Sequence, residues 1–201
     1  MVHSAMRAVA PGGVEPARES EERLDRCRAG ISARGAICTT CTRRGSFRFI
    51  GRLGVPRADA PDVLQETFVV AFRRLGDFQP DRSAFGTWLF GIALRVARNH
   101  QRASLRARLK VLAASLIGRA PVPDPSQHAE SSAAARELTW ILQRMPQKQR
   151  EVFILYEIEG FEGAQIARIV GCPEGTARSR LRLARAQFER LRETYERGGG
   201  P

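Results

Sequence analysis

Cysteine and histidine are scarce in this chain: 201 residues carry four cysteines, Cys27, Cys38, Cys41 and Cys172, and three histidines. So few thiols are better read as free cysteines in a reducing compartment than as a disulfide framework. Cys38 and Cys41 form a C-x-x-C, but tetrahedral zinc needs two further ligands and only Cys27, His3 or the distant Cys172 are on offer, so no metal is assigned. Nucleophile elbows, phosphate-binding loops and paired metal-ligand motifs are also missing, which points to a protein that is not an enzyme and takes no cofactor. No uninterrupted apolar stretch approaches the roughly 18 residues of a membrane span. The N-terminus lacks an apolar core followed by a small-residue cleavage site, so a cytoplasmic location is expected.

What the chain has in excess is positive charge. Lys and Arg total 33 against 21 Asp and Glu, a formal net charge of +12, and the isoelectric point is near 11.1. Such a field draws a protein toward phosphates or anionic membrane surfaces, and composition alone does not choose between them. A 43% hydrophobic share suffices for one or two small globular cores.

The pattern of apolar residues predicts an all-α fold of two small helical domains joined by a flexible linker. Residues 1–46 are rich in Arg, Gly, Ala and Ser with little helical period and are expected to be weakly ordered. Residues 47–112 form the first domain, in which a polar connection from Gly76 to Ser83 separates two helices. Leu64, Phe68, Phe72 and Leu75 mark one helical face there, and Phe85, Trp88, Leu89, Ile92 and Val96 mark a second that packs on it. Residues 113–136 hold Pro121, Pro123 and Pro125 and read as a semi-rigid linker. Residues 137–193 form a second domain of four helices, broken at Pro146, Gly160 and Gly171 to Pro173, and residues 194–201 are a disordered tail.

Within the second domain, Glu162 to Ala177 has the logic of a helix-turn-helix. Small Ala167 lets two helices cross closely, Gly171 supplies a left-handed turn, and Pro173 starts the next helix where its missing N–H costs nothing. In that last helix Ala177, Leu181, Ala184, Phe188 and Leu191 form a core-facing stripe. The opposite face holds Thr176, Ser179, Arg182 and Leu183, with Arg178 and Arg185 on one flank and Arg180 on the other. Set in a major groove, such a helix offers polar groups to base edges and guanidiniums to the phosphate walls. Arg182 suits bidentate contact with guanine, Ser179 donates or accepts, and Leu183 sits against a thymine methyl. A solvated basic helix face is the plainer alternative, but few acidic residues interrupt these arginines.

Pro146-x-x-Gln149-Arg150-Glu151-Val152-Phe153, Glu159-Gly160, Ile166-Ala167, Gly171-Cys172-Pro173-x-Gly175-Thr176 and Arg178-Ser179-Arg180-Leu181 together resemble region 4 of the extracytoplasmic-function sigma factors of bacterial RNA polymerase. The resemblance implies that this domain reads the promoter element near minus 35. Asp62-x-x-Gln65-Glu66-x-Phe68 and Phe85-x-x-Trp88-Leu89-x-x-Ile92-Ala93 resemble region 2 of the same family. It implies that Asp62, Gln65 and Glu66 dock on the coiled coil of the polymerase's largest subunit, although an acidic first turn favoured by the helix dipole has the same appearance. Arg95, Arg98, Asn99 and Arg102 lie on a basic helix half suited to phosphate contacts, which by resemblance is assigned to the minus 10 element. The family captures an unstacked base near the connecting loop, which places Phe78 to Phe85 at that pocket. Trp88 reads as core rather than as a stacking platform.

This chain departs from the family in four places, the largest of them before residue 47, where a long apolar first helix of region 2 is expected and only Phe47, Phe49, Ile50 and Leu53 match it. Leu94-Arg95 and Asn99 stand where an Arg-Asn pair and an Asp are usual, Ala177 replaces a larger β-branched residue, and Glu162 replaces a capping hydroxyl. The expected function is therefore a sigma factor that brings core polymerase to promoter DNA, with an anti-sigma factor as a further partner. The competing reading is a stand-alone helix-turn-helix regulator, for which the Asp62, Gln65 and Glu66 display has no use.

Overall fold

Apolar residues recur three and four apart along both halves of the chain, and each run becomes a helix with one buried stripe. The computed structural model describes residues 39–114 and 132–199. Among them are seven α-helices and no strand: α1 Thr39–Arg52, α2 Ala60–Arg73, α3 Phe85–Ala114, α4 Ala133–Arg144, α5 Gln147–Phe153, α6 Gly163–Val170 and α7 Glu174–Thr194. The fold is all-α, as the periodicity predicts. Helices α1 to α3 form one domain and α4 to α7 the other.

The first domain is a three-helix bundle whose core is built from Phe49 and Ile50 of α1, Leu53 just past its end, Val63, Leu64 and Ala71 of α2, and Phe85, Leu89, Ile92 and Val96 of α3. Thr67 is buried too, and its hydroxyl donates to the Val63 carbonyl at 2.7 Å, so that oxygen is paired. Two expectations change. Helix α1 begins at Thr39, ahead of the expected boundary at residue 47, because Ser46, Phe49, Ile50 and Leu53 continue one buried stripe that a Gly- and Arg-rich stretch disguises. Phe72, expected on the packed face of α2, is instead 50% exposed, since Ala60, Val63, Leu64, Thr67 and Ala71 turn inward.

In the second domain Ser132 caps α4, its Oγ accepting from the Ala135 N–H at 3.3 Å. The helix therefore starts at Ala133, inside the stretch 113–136 expected to be linker, because a serine that follows a Pro-rich run reads equally well as loop or as N-cap. Pro146 ends the connection and presents its carbonyl to the Gln149 and Arg150 N–H groups, starting α5. Phe153 stacks on Phe188 of α7 with ring centroids 4.8 Å apart. Beyond α7, Tyr195–Gly199 forms a wide helical turn, and Tyr195 packs edge-on against Trp140 at 5.4 Å. The expected disordered tail is thus anchored at its start by an aromatic contact that lies 55 residues away in sequence, which local reading does not reveal. Cys27, Cys38, the side chain of Cys41, Pro121, Pro123, Pro125 and residues 200–201 lie outside the described residues.

The two domains pack directly on each other. Gly91 of α3 lies against Ile169 of α6: a Cβ built at position 91 meets the Ile169 Cα at 3.9 Å. Phe90 contacts Phe161 with centroids 5.0 Å apart, and Arg52 reaches Glu159 at 2.9 Å. Arg98 grips the buried Glu151 with two hydrogen bonds, one of them 2.8 Å from its Nε.

Candidate nucleic-acid interface

The helix-turn-helix is set by its turn. Gly171 takes φ 73° and ψ 48°, a left-handed conformation open to glycine without strain, and its N–H and that of Cys172 both bond to the Ala167 carbonyl. Pro173 follows in extended conformation, and its carbonyl accepts from the Thr176 and Ala177 N–H groups to begin α7. At the start of α6, Glu162 lacks the usual hydroxyl, but the Gln165 side-chain oxygen accepts from the Glu162 N–H at 2.8 Å and supplies half of a capping box.

On α7 the stripe expected to face the core does so, with Ala177, Ala184 and Phe188 buried and Leu181 and Leu191 packed against them. Ser179, Arg182 and Leu183 stand exposed on the outer face, Leu183 at 49%. Thr176 and Arg180 are half-buried beside them. Arg178 is exposed and pairs with Glu174 at 3.2 Å, a surface contact of about 0.3 to 0.5 kcal/mol that a phosphate can displace. Arg185 behaves differently. Its Nε meets the Glu157 carboxylate at 2.6 Å, and its guanidinium lies 5.0 Å from the Tyr156 ring centroid. The hydrogen bond to Glu157 raises the Arg185 pKa above its ordinary value. Arg185 therefore fastens the recognition helix to its scaffold, with less freedom to reach outward than its sequence neighbours.

In the first domain Asp62, Gln65 and Glu66 are all exposed on the outer face of α2. The same face carries Val69 at 39% exposure and Phe72 at 50%, so an acidic edge adjoins an apolar one. Sequence reading assigned Phe72 to the core and passed over Val69. The spacing 62, 65, 69, 72 was the signal that could have found this second stripe.

Along α3, Arg95, Asn99 and Arg102 are exposed at steps of four and three. Arg98 does not join them, because Glu151 holds it and raises its pKa through the hydrogen bond between them. Beside Arg95 a cavity of about 190 Å3 opens between the domains, where Arg74, Arg82, Arg95 and Arg168 converge around Trp88. Among the described residues no carboxylate lines it. Arg168 donates to the Arg82 carbonyl at 2.6 Å, a contact across 86 positions that sequence reading missed. Phe78 packs edge-on against Phe85 at 5.5 Å and on Trp88 at 5.3 Å, so the three rings form one wall. Trp88, read as core, is half-buried and borders the cavity.

A helix-turn-helix with an exposed polar and cationic face, joined to a helical domain with its own cationic face and an acidic edge, is the arrangement of a DNA-binding transcription protein of two modules. Residues 41–107 match the Sigma-70 region 2 family and residues 135–188 match Sigma-70, region 4. The ECF RNA polymerase sigma-E factors of Escherichia coli (strain K12) and Salmonella typhimurium (strain LT2) are each 35% identical to this chain over 143 residues, covering 67% of it and 74% of the relative. Among solved structures, the sigma factor RpoE in complex with the anti-sigma factor NepR from Bartonella quintana superposes with a TM-score of 0.58 at 25% identity, over 76% of this chain and 92% of that one. CnrH in complex with the cytosolic domain of CnrY gives 0.56 at 26% identity, over 78% and 86%. The chain belongs to the extracytoplasmic-function sigma factors: it directs RNA polymerase to promoter DNA. Among the described residues no helix is long and apolar enough to cross a membrane.

Proposed function

We propose that this sigma factor divides its work between its domains. In the second, Thr176, Ser179, Arg182 and Leu183 read base edges of the minus 35 element while Arg178 and Arg180 contact phosphates. The observation that carries this reading is the exposed Ser179, Arg182 and Leu183 face of α7, set by a left-handed Gly171 turn. Arg185 acts here mainly by fixing the pose of the helix through Glu157.

In the first domain, Asp62, Gln65 and Glu66 dock on the coiled coil of the largest polymerase subunit, and the adjoining Val69 and Phe72 bury their apolar surface in that contact. Arg95, Asn99 and Arg102, joined by Arg98 once it is released, hold the minus 10 strand. The protein acts stoichiometrically in the cytoplasm, without chemistry of its own, and an anti-sigma protein holds it inactive. Support for that last point comes from the two solved relatives, whose structures contain NepR and CnrY.

Mixing the purified chain with core polymerase tests the docking role. The wild type is expected to co-elute with core at moderate salt, and Asp62→Ala combined with Glu66→Ala to elute apart while keeping its helical circular dichroism. Co-elution of the double variant at wild-type strength rejects the assignment.

A further inference from the structure

We infer that the cavity lined by Arg74, Arg82, Arg95 and Arg168 is a binding site for a free nucleoside polyphosphate, its phosphates held by the guanidiniums and its base laid on Trp88. Such a ligand lies outside promoter reading and shares only Arg95 with the face assigned to the minus 10 strand. The cavity holds about 190 Å3, less than the roughly 300 Å3 at which pockets for drug-sized ligands begin, so it encloses the phosphates and leaves the base at its mouth. Trp88 is half-buried, packed on Phe78 and Phe85 with the rest of its ring bordering the cavity. Ser83 lines the same space and adds a hydroxyl donor.

Charge is the reason an anion belongs there. Where other arginines of this chain reach across from one element to another, a carboxylate meets them: Arg52 has Glu159, Arg98 has Glu151 and Arg185 has Glu157. At the cavity that pattern breaks. Arg74 has only the exposed Asp77 three residues along, at 3.2 Å, and among the described residues no carboxylate pairs with Arg82, Arg95 or Arg168. Arg168 gives Nη1 to the Arg82 carbonyl at 2.6 Å, which fixes its head at the cavity and leaves Nη2 and Nε for a ligand. Like charges gathered without a counterion repel one another, and a polyphosphate with its several negative charges removes that repulsion. Planar guanidinium forks also match phosphate oxygens bidentately.

A nucleic-acid strand and a free nucleotide offer the same phosphate and base chemistry, and the walls of the cavity favour the free form. Its arginines come from just past the end of α2, from the connecting loop, from α3 and from α6, so they converge on one small volume. A strand is tracked instead by cations spread along a groove. Arg168 belongs to the second domain, outside the face on which Arg95, Asn99 and Arg102 line up. Inorganic phosphate alone would leave the Trp88 ring unused, whereas a base stacks on such a ring whatever its identity.

Fluorescence of the full chain reads the site directly, because the protein has two tryptophans and Trp140→Phe leaves Trp88 as the reporter. Guanosine triphosphate is expected to quench Trp88 saturably at moderate salt, and inorganic tripolyphosphate to displace it. Since Trp140 is a core residue, calorimetric titration of the unaltered chain repeats the measurement. Arg168→Ala and Arg82→Ala should each weaken guanosine triphosphate by about tenfold or more, as the loss of a charge-assisted partner requires. Arg197→Ala removes the same charge from an exposed site on the last turn and should change the affinity by less than about twofold. Binding of a single-stranded minus 10 oligonucleotide should be unaffected by Arg168→Ala. Absence of saturable nucleotide binding, or equal loss with Arg168→Ala and Arg197→Ala, overturns the site. Oligonucleotide binding that falls with Arg168→Ala as far as nucleotide binding does gives the cavity to a strand and overturns the free ligand.

Discussion

At the scale of the residue, neighbours on one helix face have different work because of partners the helix does not contain. Among the described residues no carboxylate pairs with Arg182, whereas Arg185 is bound to the nearly buried Glu157. Arg182→Ala should therefore relax discrimination at one minus 35 position by about 1 to 3 kcal/mol, measured by binding across a panel of single-base promoter variants. Arg185→Ala should remove the charge-assisted hydrogen bond to Glu157 and lower folding stability by roughly 1 to 3 kcal/mol in urea denaturation. Such a loss would not follow from a purely phosphate-binding arginine. Glu159 gives the opposite case. Burial raises its carboxyl pKa above the ordinary value, while Arg52 and Arg48 pull it down by less. The folded chain holds this proton more tightly than the unfolded one, so the site favours folding most below the ordinary carboxylate pKa, and that contribution declines as pH rises through the raised value. Glu159→Gln stays neutral throughout, and its stability should fall less than the wild type's as pH rises above the ordinary carboxylate range, read by urea denaturation. Residue types and spacing were legible in the sequence. That Glu151 and Glu157 would claim Arg98 and Arg185 was not, since each pairing spans 53 or 28 positions and depends on how helices cross.

At the scale of the element, the parts read best were those where chain chemistry forces a break. Gly171, Pro173 and Pro146 sit where helices end and begin, and the four helices of the second domain follow from them. Gly171→Ala is expected to lower stability by about 1 to 2 kcal/mol, the cost of a Cβ in the left-handed region, although nothing lies within 4 Å of that Cβ to clash. A thermal midpoint unchanged from wild type would show that the turn relaxes elsewhere. Phe188→Ala removes the ring stacked on Phe153 and should cost about 3 to 5 kcal/mol, read from the same melts. Element starts were read less well. Ser132 was taken for linker and Thr39 for the weakly ordered segment, because a cap residue and a loop residue are the same amino acid until a partner N–H is in place. On α2 the wrong stripe was chosen: Val69 and Phe72 are as apolar as Val63 and Leu64, and only the packing partner decides which pair turns inward.

At the scale of the whole molecule, two domains and their general tasks were legible, and their mutual embrace was not. Gly91 against Ile169 and Arg98 in the grip of Glu151 leave no trace in periodicity. The long third helix has a consequence of its own. Its 30 residues extend about 45 Å, and beyond Gln101 its side chains are almost all exposed, with Leu105, Leu109 and Val111 each more than half so. Such a rod behaves as a boom. The chain therefore leaves the first domain at Ala114, at the tip of this boom, instead of from the body of the three-helix bundle.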